Sequence, residues 1–236
     1  MGLKCDDLKS FYNCDLFQEC KSELSLVEKQ KTANTLSVVH VRFPGNGIFI
    51  KPQFLKDSLN VYRKIDSEIS FRDINDGTLI VDFEGKLFLV YIELKSGYND
   101  VCKKAIKQIP VSSIKIKSYL RNFSSFNLDN YKELGVIVSF PPPTDANFDS
   151  NNNSMVFDYK LQYLHKQLED DNIDIFNKNL RKNKCAVLKE KYFSSLDQTL
   201  LVDDIKFHEL VIFHFPVEGD HQYIDISDCL SKMICQ

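Results

Sequence analysis

Residues 80–100, IVDFEGKLFLVYIELKSGYND, decide the fold of this chain. An apolar strand runs to a two-residue turn at Glu84-Gly85, and a second apolar strand follows the turn. Glycine at the second turn position suits the positive φ that two-residue hairpin turns require. The stretch therefore predicts an antiparallel hairpin in which Phe83 faces Lys86.

The register of this hairpin brings two acidic residues together. Stepping back along both strands from the turn places Asp76 opposite Glu93, with their Cβ atoms roughly 4.5–5.5 Å apart. Lys95 lies two residues beyond Glu93 and so points to the same face of the sheet. Asp82 lies close to the turn, roughly 20 Å from Glu93 along the strand, and is rejected as its partner.

The charges at the end of the second strand indicate a metal site. Two acids that face each other repel, and like charges in this position destabilise a sheet. A divalent cation reverses that effect, and Mg²⁺ typically takes one or two carboxylates together with water and substrate phosphate. A lysine ammonium nearby stabilises charge that develops on a phosphate oxygen. We therefore expect Asp76 and Glu93 to bind a metal, with Lys95 beside them.

These residues resemble the motif of a known family. Asp76 followed by Glu93-Leu94-Lys95, with a hairpin between them and a predicted helix after them, is similar to the PD-(D/E)xK nuclease superfamily. Asn75-Asp76 stands where that family often has Pro-Asp, and Gln108 on the next predicted helix also resembles a family feature. The resemblance covers about residues 70–121.

The resemblance implies a restriction-endonuclease-like α/β core and a metal-dependent nuclease. In such a site Asp76, Glu93 and the carbonyl of Leu94 would bind Mg²⁺ or Mn²⁺. Lys95 would assist the attacking water, and Gln108 would belong to the same catalytic site. Because most of the superfamily cuts DNA, the resemblance favours a DNA endonuclease over an enzyme that acts on RNA.

An acid-x-lysine pair alone is a weak indication. The chain contains six of them, namely Asp7/Lys9, Glu19/Lys21, Glu84/Lys86, Glu93/Lys95, Asp158/Lys160 and Asp204/Lys206. Only Glu93/Lys95 ends a long apolar strand, has an acid across a hairpin and precedes a basic helix. One alternative is an ordinary ion pair at a strand end, which contributes little. Another is a catalytically inactive module that keeps the fold and binds nucleic acid or protein.

The sequence does not identify any further metal ligand. Many family members carry another acid on a helix before the hairpin, and five residues qualify here: Glu19, Glu23, Glu28, Asp57 and Glu68. Some branches of the superfamily have a metal-binding histidine upstream, where this chain has His40. A packed or hydrogen-bonded role is more common for a histidine inside a strand. We interpret His208 and His214 as structural.

Positive charge is concentrated just after the motif. Six basic residues follow it closely: Lys103, Lys104, Lys107, Lys115, Lys117 and Arg121. A chain of net charge -3 with such a patch beside its proposed site fits binding to a phosphate backbone. We assign Lys103, Lys104 and Lys107 to nucleic-acid binding, although a solvated helix face would show the same pattern.

The whole chain, residues 1–236, fits one domain of the α/β class, with a mixed central sheet flanked by helices. Its length and its hydrophobic content of 43% suffice to bury one substantial core. We place the nuclease-like core at about residues 70–140. The flanking parts, residues 1–60 and 141–236, are assigned to substrate recognition, a homodimer surface or both.

Cellular setting follows from what the sequence lacks. No apolar run reaches the roughly 18 residues of a membrane-spanning helix, and residues 1–10 lack the apolar core of a signal peptide. We therefore expect an intracellular protein, cytoplasmic or nuclear, without a membrane partner. Seven scattered cysteines without a Cys-x-x-Cys pair predict reduced thiols.

Apolar spacing predicts the remaining elements. Residues 7–33 have apolar residues at helical spacing, which predicts one or two helices. Residues 99–109 predict a helix that Pro110 ends or kinks, and Pro44–Gly47 predicts a turn. Strands are predicted at residues 35–43, 47–50, 133–140, 207–215 and 222–226.

Overall fold

A computed structural model describes residues 4–12, 14–27, 38–57, 74–97, 104–127, 130–141, 173–193, 198, 201–218 and 221–234. In this part of the chain the strands form one mixed sheet of eight strands, with helices packed against its faces. The predicted α/β class, with a mixed central sheet flanked by helices, is therefore confirmed.

The sheet is built from β1 (Phe17–Val27), β2 (Val38–Ile50), β3 (Gly77–Phe83), β4 (Lys86–Lys95), β5 (Tyr131–Ser139), β6 (Cys185–Lys189), β7 (Glu209–Pro216) and β8 (His221–Asp225). The helices are α1 (Cys5–Tyr12), α2 (Pro52–Asp57), α3 (Ile106–Leu120), α4 (Ile173–Asn183) and α5 (Ser227–Ile234). Across the sheet the order is β1-β2-β3-β4-β5-β7-β6, and β8 pairs with β2. Strands β1 to β4 pair antiparallel, whereas β4, β5 and β7 pair parallel. The strands predicted at residues 133–140, 207–215 and 222–226 are confirmed as β5, β7 and β8.

The hairpin of β3 and β4 has the predicted register. Glu84 and Gly85 form its turn with φ of 52° and 73°, the positive values of a two-residue hairpin turn. The ladder of facing residues ends with Gly77 opposite Ile92. Asp76 lies immediately outside that last pair, where β4 extends beyond β3 and remains paired with β5.

Helix α3 connects β4 to the parallel strand β5. The sequence predicted a helix over residues 99–109 that Pro110 ends or kinks, but Pro110 lies inside α3, which continues to Leu120. Pro110 is the fifth residue of α3, so its missing N–H removes one intrahelical hydrogen bond, to the carbonyl of Ile106, without ending the helix. The predicted end of the helix was therefore wrong.

Strand β1 occupies part of the region predicted as helical. Helix α1 accounts for the start of residues 7–33, but the next described element is a strand. Its pairing with β2 shifts register between Lys21 and Glu23, where Ser22 has a φ of 58°. Such a bulge interrupts the alternation of a strand. Ser22 is exposed between Cys20 and Leu24, which are buried in one core, while Phe17 is buried in the core on the other face. The buried residues of both faces together are spaced three and four apart, which resembles a helix.

Strand β2 is one long strand instead of the predicted hairpin. The prediction placed a turn at Pro44–Gly47, but Val38–Ile50 is continuous and pairs with β1 on both sides of this stretch. Gly45 has a φ of 77° and lies opposite the bulge of β1. The turn-like residues therefore accommodate a bend within paired strands and do not reverse the chain.

Two apolar cores lie on the two faces of the sheet. Alternation along β4 puts Val90 and Ile92 into the core that α5 covers, and Leu89 and Tyr91 into the core that α3 covers. Glu93 continues the second series. The charged end of β4 therefore points its side chains to the α3 face.

Candidate active site

The end of the β3–β4 hairpin joins the two predicted acids through each other's backbone. The N–H of Asp76 donates to the carbonyl of Ile92 at 3.0 Å and to Oε2 of Glu93 at 3.1 Å. The N–H of Leu94 in turn donates to Oδ2 of Asp76 at 2.8 Å. Each carboxylate thus holds the strand that carries the other. Asp82, which the register argument rejected, lies exposed beside the turn.

The backbone of Leu94 is turned toward Asp76. In an extended strand the N–H and C=O of one residue point to the same side, and the N–H of Leu94 reaches the Asp76 carboxylate. The carbonyl of Leu94 therefore faces the same edge of β4, beyond the point where β3 begins at Gly77. This placement is compatible with its predicted role as a third metal ligand.

Lys95 is bound to Glu93. Its ammonium donates to Oε1 of the Glu93 carboxylate, while Oε2 accepts from the N–H of Asp76. The side chain of Glu93 is 0% exposed and that of Lys95 is 14% exposed. Burying a charge pair costs desolvation energy that its attraction must offset. The neighbouring second acid adds repulsion, so stability alone does not favour this arrangement.

Burial raises the pKa of both acids. The pKa of Glu93 lies well above its ordinary value, mainly because the side chain is buried. The charge of Asp76 raises this pKa further, and the charge of Lys95 lowers it. The pKa of Asp76 is also raised by burial, against the N–H of Leu94 and the ammonium groups of Lys95 and Lys56, which lower it. The charged form of each acid therefore depends on positive charge nearby.

The donor atoms at this site fit a hard divalent cation. Asp76 and Glu93 supply the one or two carboxylates that Mg²⁺ typically uses. No group of three or more histidine, cysteine or acidic side chains gathers among the described residues. Two buried amide oxygens, Oδ1 of Asn75 and Oε1 of Gln108, lack a donor within the described chain, and such orphaned acceptors suit water around an ion. Mg²⁺ or Mn²⁺ therefore fits the residues present.

Helix α3 fastens the segment that carries Asp76. The Nε2 of Gln108 donates to the carbonyl of Ile74 at 2.7 Å, and the hydroxyl of Ser112 accepts from the N–H of Asn75 at 2.9 Å. Residues four apart lie on one face of a helix, so both contacts come from the same side of α3. Gln108, predicted as part of the catalytic site, is thus placed to position the acid.

The predicted basic patch is smaller in the structure. Lys104, two residues before α3, is exposed, and Lys107, the second residue of α3, is half-buried, whereas Lys103 lies outside the described residues. Lys115 is 0% exposed and Lys117 is 4% exposed. Neither of these two can contact a nucleic-acid backbone, because α3 is buried on all sides over this stretch. The accessible members of the patch are therefore Lys104 and Lys107 near the start of the helix and Arg121 just after its end, which pairs with Asp204 at 3.3 Å.

The residues considered as further ligands are spread over β1, β2, α2 and parts of the chain outside the described residues. The ring of His40 stacks on Tyr223 with 4.4 Å between centroids, and Glu23 lies 3.4 Å from the same ring. Both belong to the part of β1 and β2 that pairs beyond the bulge. Glu28 and Glu68 lie outside the described residues. The other two acids are an exposed residue of β1 and the last residue of α2: Glu19 and Asp57.

A buried serine and histidine continue the polar row beyond Lys95. Lys95 pairs with Ser139 across β4 and β5, and Oγ of Ser139 lies 2.8 Å from Nε2 of His214 on β7. Ser139 is 0% exposed and His214 is 2% exposed. Burial lowers the pKa of His214 to about 3, so its imidazole is neutral. This placement depends on the order of strands, which the sequence pattern did not reveal.

Comparisons of the chain with protein-family models, with curated proteins and with solved structures found no match. The likeness to the nuclease superfamily therefore rests on the residues of the hairpin and on their arrangement. Within the described residues, no helix has both the length and the apolar character needed to span a membrane. The described cysteines are all free thiols: Cys5, Cys14, Cys20, Cys185 and Cys229.

Proposed function

We propose that this chain is a divalent-metal-dependent nuclease that hydrolyses phosphodiester bonds, with DNA as its substrate. The observation that carries the proposal is the pairing of half-buried Asp76 with buried Glu93 at the end of the hairpin, with Lys95 on the same face as Glu93. Repulsion between facing acids costs stability, and a bound cation removes that cost. The order of elements gives further support, since an acid, a hairpin, an acid-x-lysine and helix α3 follow one another as in the PD-(D/E)xK nucleases.

The metal would be held by oxygen atoms at one edge of β4. Asp76, Glu93 and the carbonyl of Leu94 are the proposed ligands of Mg²⁺ or Mn²⁺. Bound there, the cation would supply Lewis acidity that polarises a phosphate oxygen and lowers the pKa of water. The remaining coordination positions would be taken by water and by the substrate, as is usual for Mg²⁺.

The side chains around the acids would orient the substrate and stabilise charge. The ammonium of Lys95 lies beside Glu93 and would donate to a phosphate oxygen, where negative charge develops. In hydrolysis the water gives up one proton to solvent as its oxygen forms a bond to phosphorus, the ester P–O bond breaks, and the leaving alkoxide takes up a proton from solvent. Gln108 and Ser112 hold the segment before Asp76, so that this carboxylate keeps its place.

The substrate class is argued from charge and by analogy. Lys104 and Lys107 lie at the start of α3 with at least part of each side chain accessible, and phosphate contacts of this kind dominate nucleic-acid affinity. DNA is preferred to RNA because most of the superfamily cuts DNA, which is an analogy. A cytoplasmic or nuclear location and a possible homodimer belong to the same proposal.

A catalytically inactive module that binds nucleic acid or protein is the second candidate. The observation that favours it is the contact between Lys95 and Glu93, which occupies an oxygen that a metal would need. In such a module the ion pair between Lys95 and Glu93 would be permanent. The two acids would only accept the backbone hydrogen bonds that close the end of the hairpin.

Cleavage assays separate the two candidates. Plasmid, single-stranded DNA and RNA are incubated with the protein in Mg²⁺ or Mn²⁺, and we expect cleavage of DNA. Lys95→Ala and Asp76→Ala should abolish it, whereas Asp82→Ala is the matched control because Asp82 is an exposed acid of the same hairpin. Failure of the wild type to cut any substrate contradicts the enzyme and favours the module. Cleavage by Lys95→Ala at the wild-type rate contradicts the site.

A further inference from the structure

The fold brings helix α2 beside the hairpin acids. Ile50, the last residue of β2, pairs with Thr78 near the start of β3. Helix α2 begins at Pro52, two residues after Ile50, and Asp76 lies two residues before Thr78. Because paired strands lie roughly 5 Å apart, the start of α2 and Asp76 leave the sheet side by side.

The packing of α2 directs Lys56 to solvent. Leu55 is 1% exposed and Phe54 is 8% exposed, and the ring of Phe54 packs against Phe17 and Tyr119 at centroid distances of 4.8 and 4.9 Å. Successive residues of a helix are rotated by about 100°. With its two predecessors turned inward, Lys56 projects outward and is exposed.

Lys56 is a cation without a bonded partner in the part of the chain that the structure describes. Its ammonium makes no hydrogen bond or ion pair with any described residue. By contrast Lys95 is bound to Glu93, and Lys51, just before α2, donates to a backbone carbonyl. The charge of Lys56 nevertheless reaches Asp76, whose pKa it lowers together with Lys95.

The balance of charge at the site leaves a place for this cation. The carboxylates of Asp76 and Glu93 cancel the charge of a divalent metal, and the ammonium groups of Lys95 and Lys56 remain. A phosphodiester carries one negative charge, and attack by hydroxide adds a second. Positive groups aimed at the place where charge develops are the main source of stabilisation in such reactions. One lysine is then available for each negative charge.

We propose that Lys56 binds the phosphate group of the nucleic acid at this site, so that the phosphate lies between Lys56 and Lys95. The inference rests on the proposed function, because it takes a phosphodiester as the ligand. It assigns to Lys56 a contact with the phosphate next to the acids. The lysines at the start of α3 would contact phosphates elsewhere along the strand.

Two binding measurements on Lys56→Ala test this inference. The first is affinity for a labelled DNA oligonucleotide in Ca²⁺, used in place of Mg²⁺ to suppress cleavage, at several salt concentrations. The second is affinity for Mn²⁺ without nucleic acid, by calorimetry. Lys86→Ala is the matched control, because Lys86 is an exposed lysine at the opposite end of the same hairpin.

The expected changes have opposite signs. DNA binding should weaken, and the slope of log affinity against log salt should become shallower by roughly 0.7–0.9, the value for one lost phosphate contact. Mn²⁺ binding should become about two- to fivefold tighter, because a repelling charge is removed. Lys56→Arg should restore both values, since it keeps the charge.

The outcomes distinguish this inference from the proposed function. DNA affinity and salt slope equal to those of Lys86→Ala overturn the role of Lys56, while cleavage by the wild type still supports the nuclease. Loss of affinity for both ligands also overturns it, because it indicates a structural defect. If the wild type binds DNA through Lys56 without cleaving it, the result supports the phosphate contact of Lys56 and contradicts the proposed nuclease activity. If the wild type binds no DNA, both fall.

Discussion

The N–H of Leu94 donates a hydrogen bond of 2.8 Å to Oδ2 of Asp76, so the backbone of one strand fixes the acid of the other. Asp76→Asn keeps an oxygen that accepts this bond and removes the charge that raises the pKa of Glu93. We expect its free energy of unfolding at pH 7 to stay within about 1 kcal/mol of wild type.

The affinity of Asp76→Asn for Mn²⁺ should fall about tenfold or more, as even the loss of a residue that supports a metal ligand has that effect. Calorimetric titration with Mn²⁺ and unfolding in urea measure the two quantities. Asp82→Asn is the control on the exposed side of the hairpin. Wild-type affinity for Mn²⁺ in Asp76→Asn would mean that Asp76 is not a ligand.

Lys95→Met should lower stability in a way that metal repairs. The substitution leaves the buried Glu93 carboxylate without its cation, and the metal-free protein should lose about 1–3 kcal/mol of unfolding free energy. Because Mg²⁺ replaces the missing positive charge, saturating Mg²⁺ should stabilise Lys95→Met more than wild type, although cleavage stays lost. Urea unfolding with and without Mg²⁺ gives the comparison, and equal stabilisation of both proteins would refute the metal site.

Ser112→Ala tests whether α3 positions the acid. It leaves the buried N–H of Asn75 without its acceptor, which should cost about 1–3 kcal/mol and should lower kcat more than it raises KM. Ser118→Ala is the matched control, because Ser118 donates to the carbonyl of Ile114 within the same helix at 2.7 Å. If both variants change kcat alike, the contact with Asn75 has no special role.

His214 should make stability fall as the solution is acidified. Its pKa is lowered to about 3 in the folded protein, from an ordinary value of 6.5. Between these values the unfolded chain binds a proton that the folded protein does not bind. The free energy of unfolding therefore decreases as the pH decreases, by up to about 1.4 kcal/mol per pH unit.

Unfolding free energies of wild type and His214→Gln between pH 7 and 5 check this pH dependence. The variant should show a smaller loss of stability across that range. His208→Gln is the control, because the His208 side chain is 64% exposed. The same pH dependence in wild type and His214→Gln would show that the buried imidazole is not the titrating group.

The hairpin was predictable because its information is local. Glycine at the second turn position and the apolar alternation of β4 together set the register, and the register alone brought Asp76 to Glu93. β1 was not predictable by the same reasoning, since the bulge at Ser22 interrupts its alternation and the strand buries residues on both faces of the sheet. The turn predicted at Pro44–Gly47 was wrong because these residues lie in β2 opposite the bulge, where they accommodate a bend in the strand.

The rest of the site depends on contacts between distant parts of the chain. Lys56 reaches Asp76 only because β2 pairs with β3, and Ser139 meets His214 only because β5 lies beside β7. The inward position of Lys115 likewise depends on how α3 lies on the sheet. No local pattern carries this information, so the surroundings of the acids had to come from the structure.

The contact between Lys95 and Glu93 means that the site holds an internal counter-ion before any metal arrives. On the proposed function, metal entry would exchange one cation for another, and it would depend on the free metal concentration. A phosphate bound near Lys95 would compete with the Glu93 carboxylate for the Lys95 ammonium. Metal and nucleic acid would therefore bind cooperatively, each raising the affinity for the other by the same factor, and the protein would stay idle until both are present.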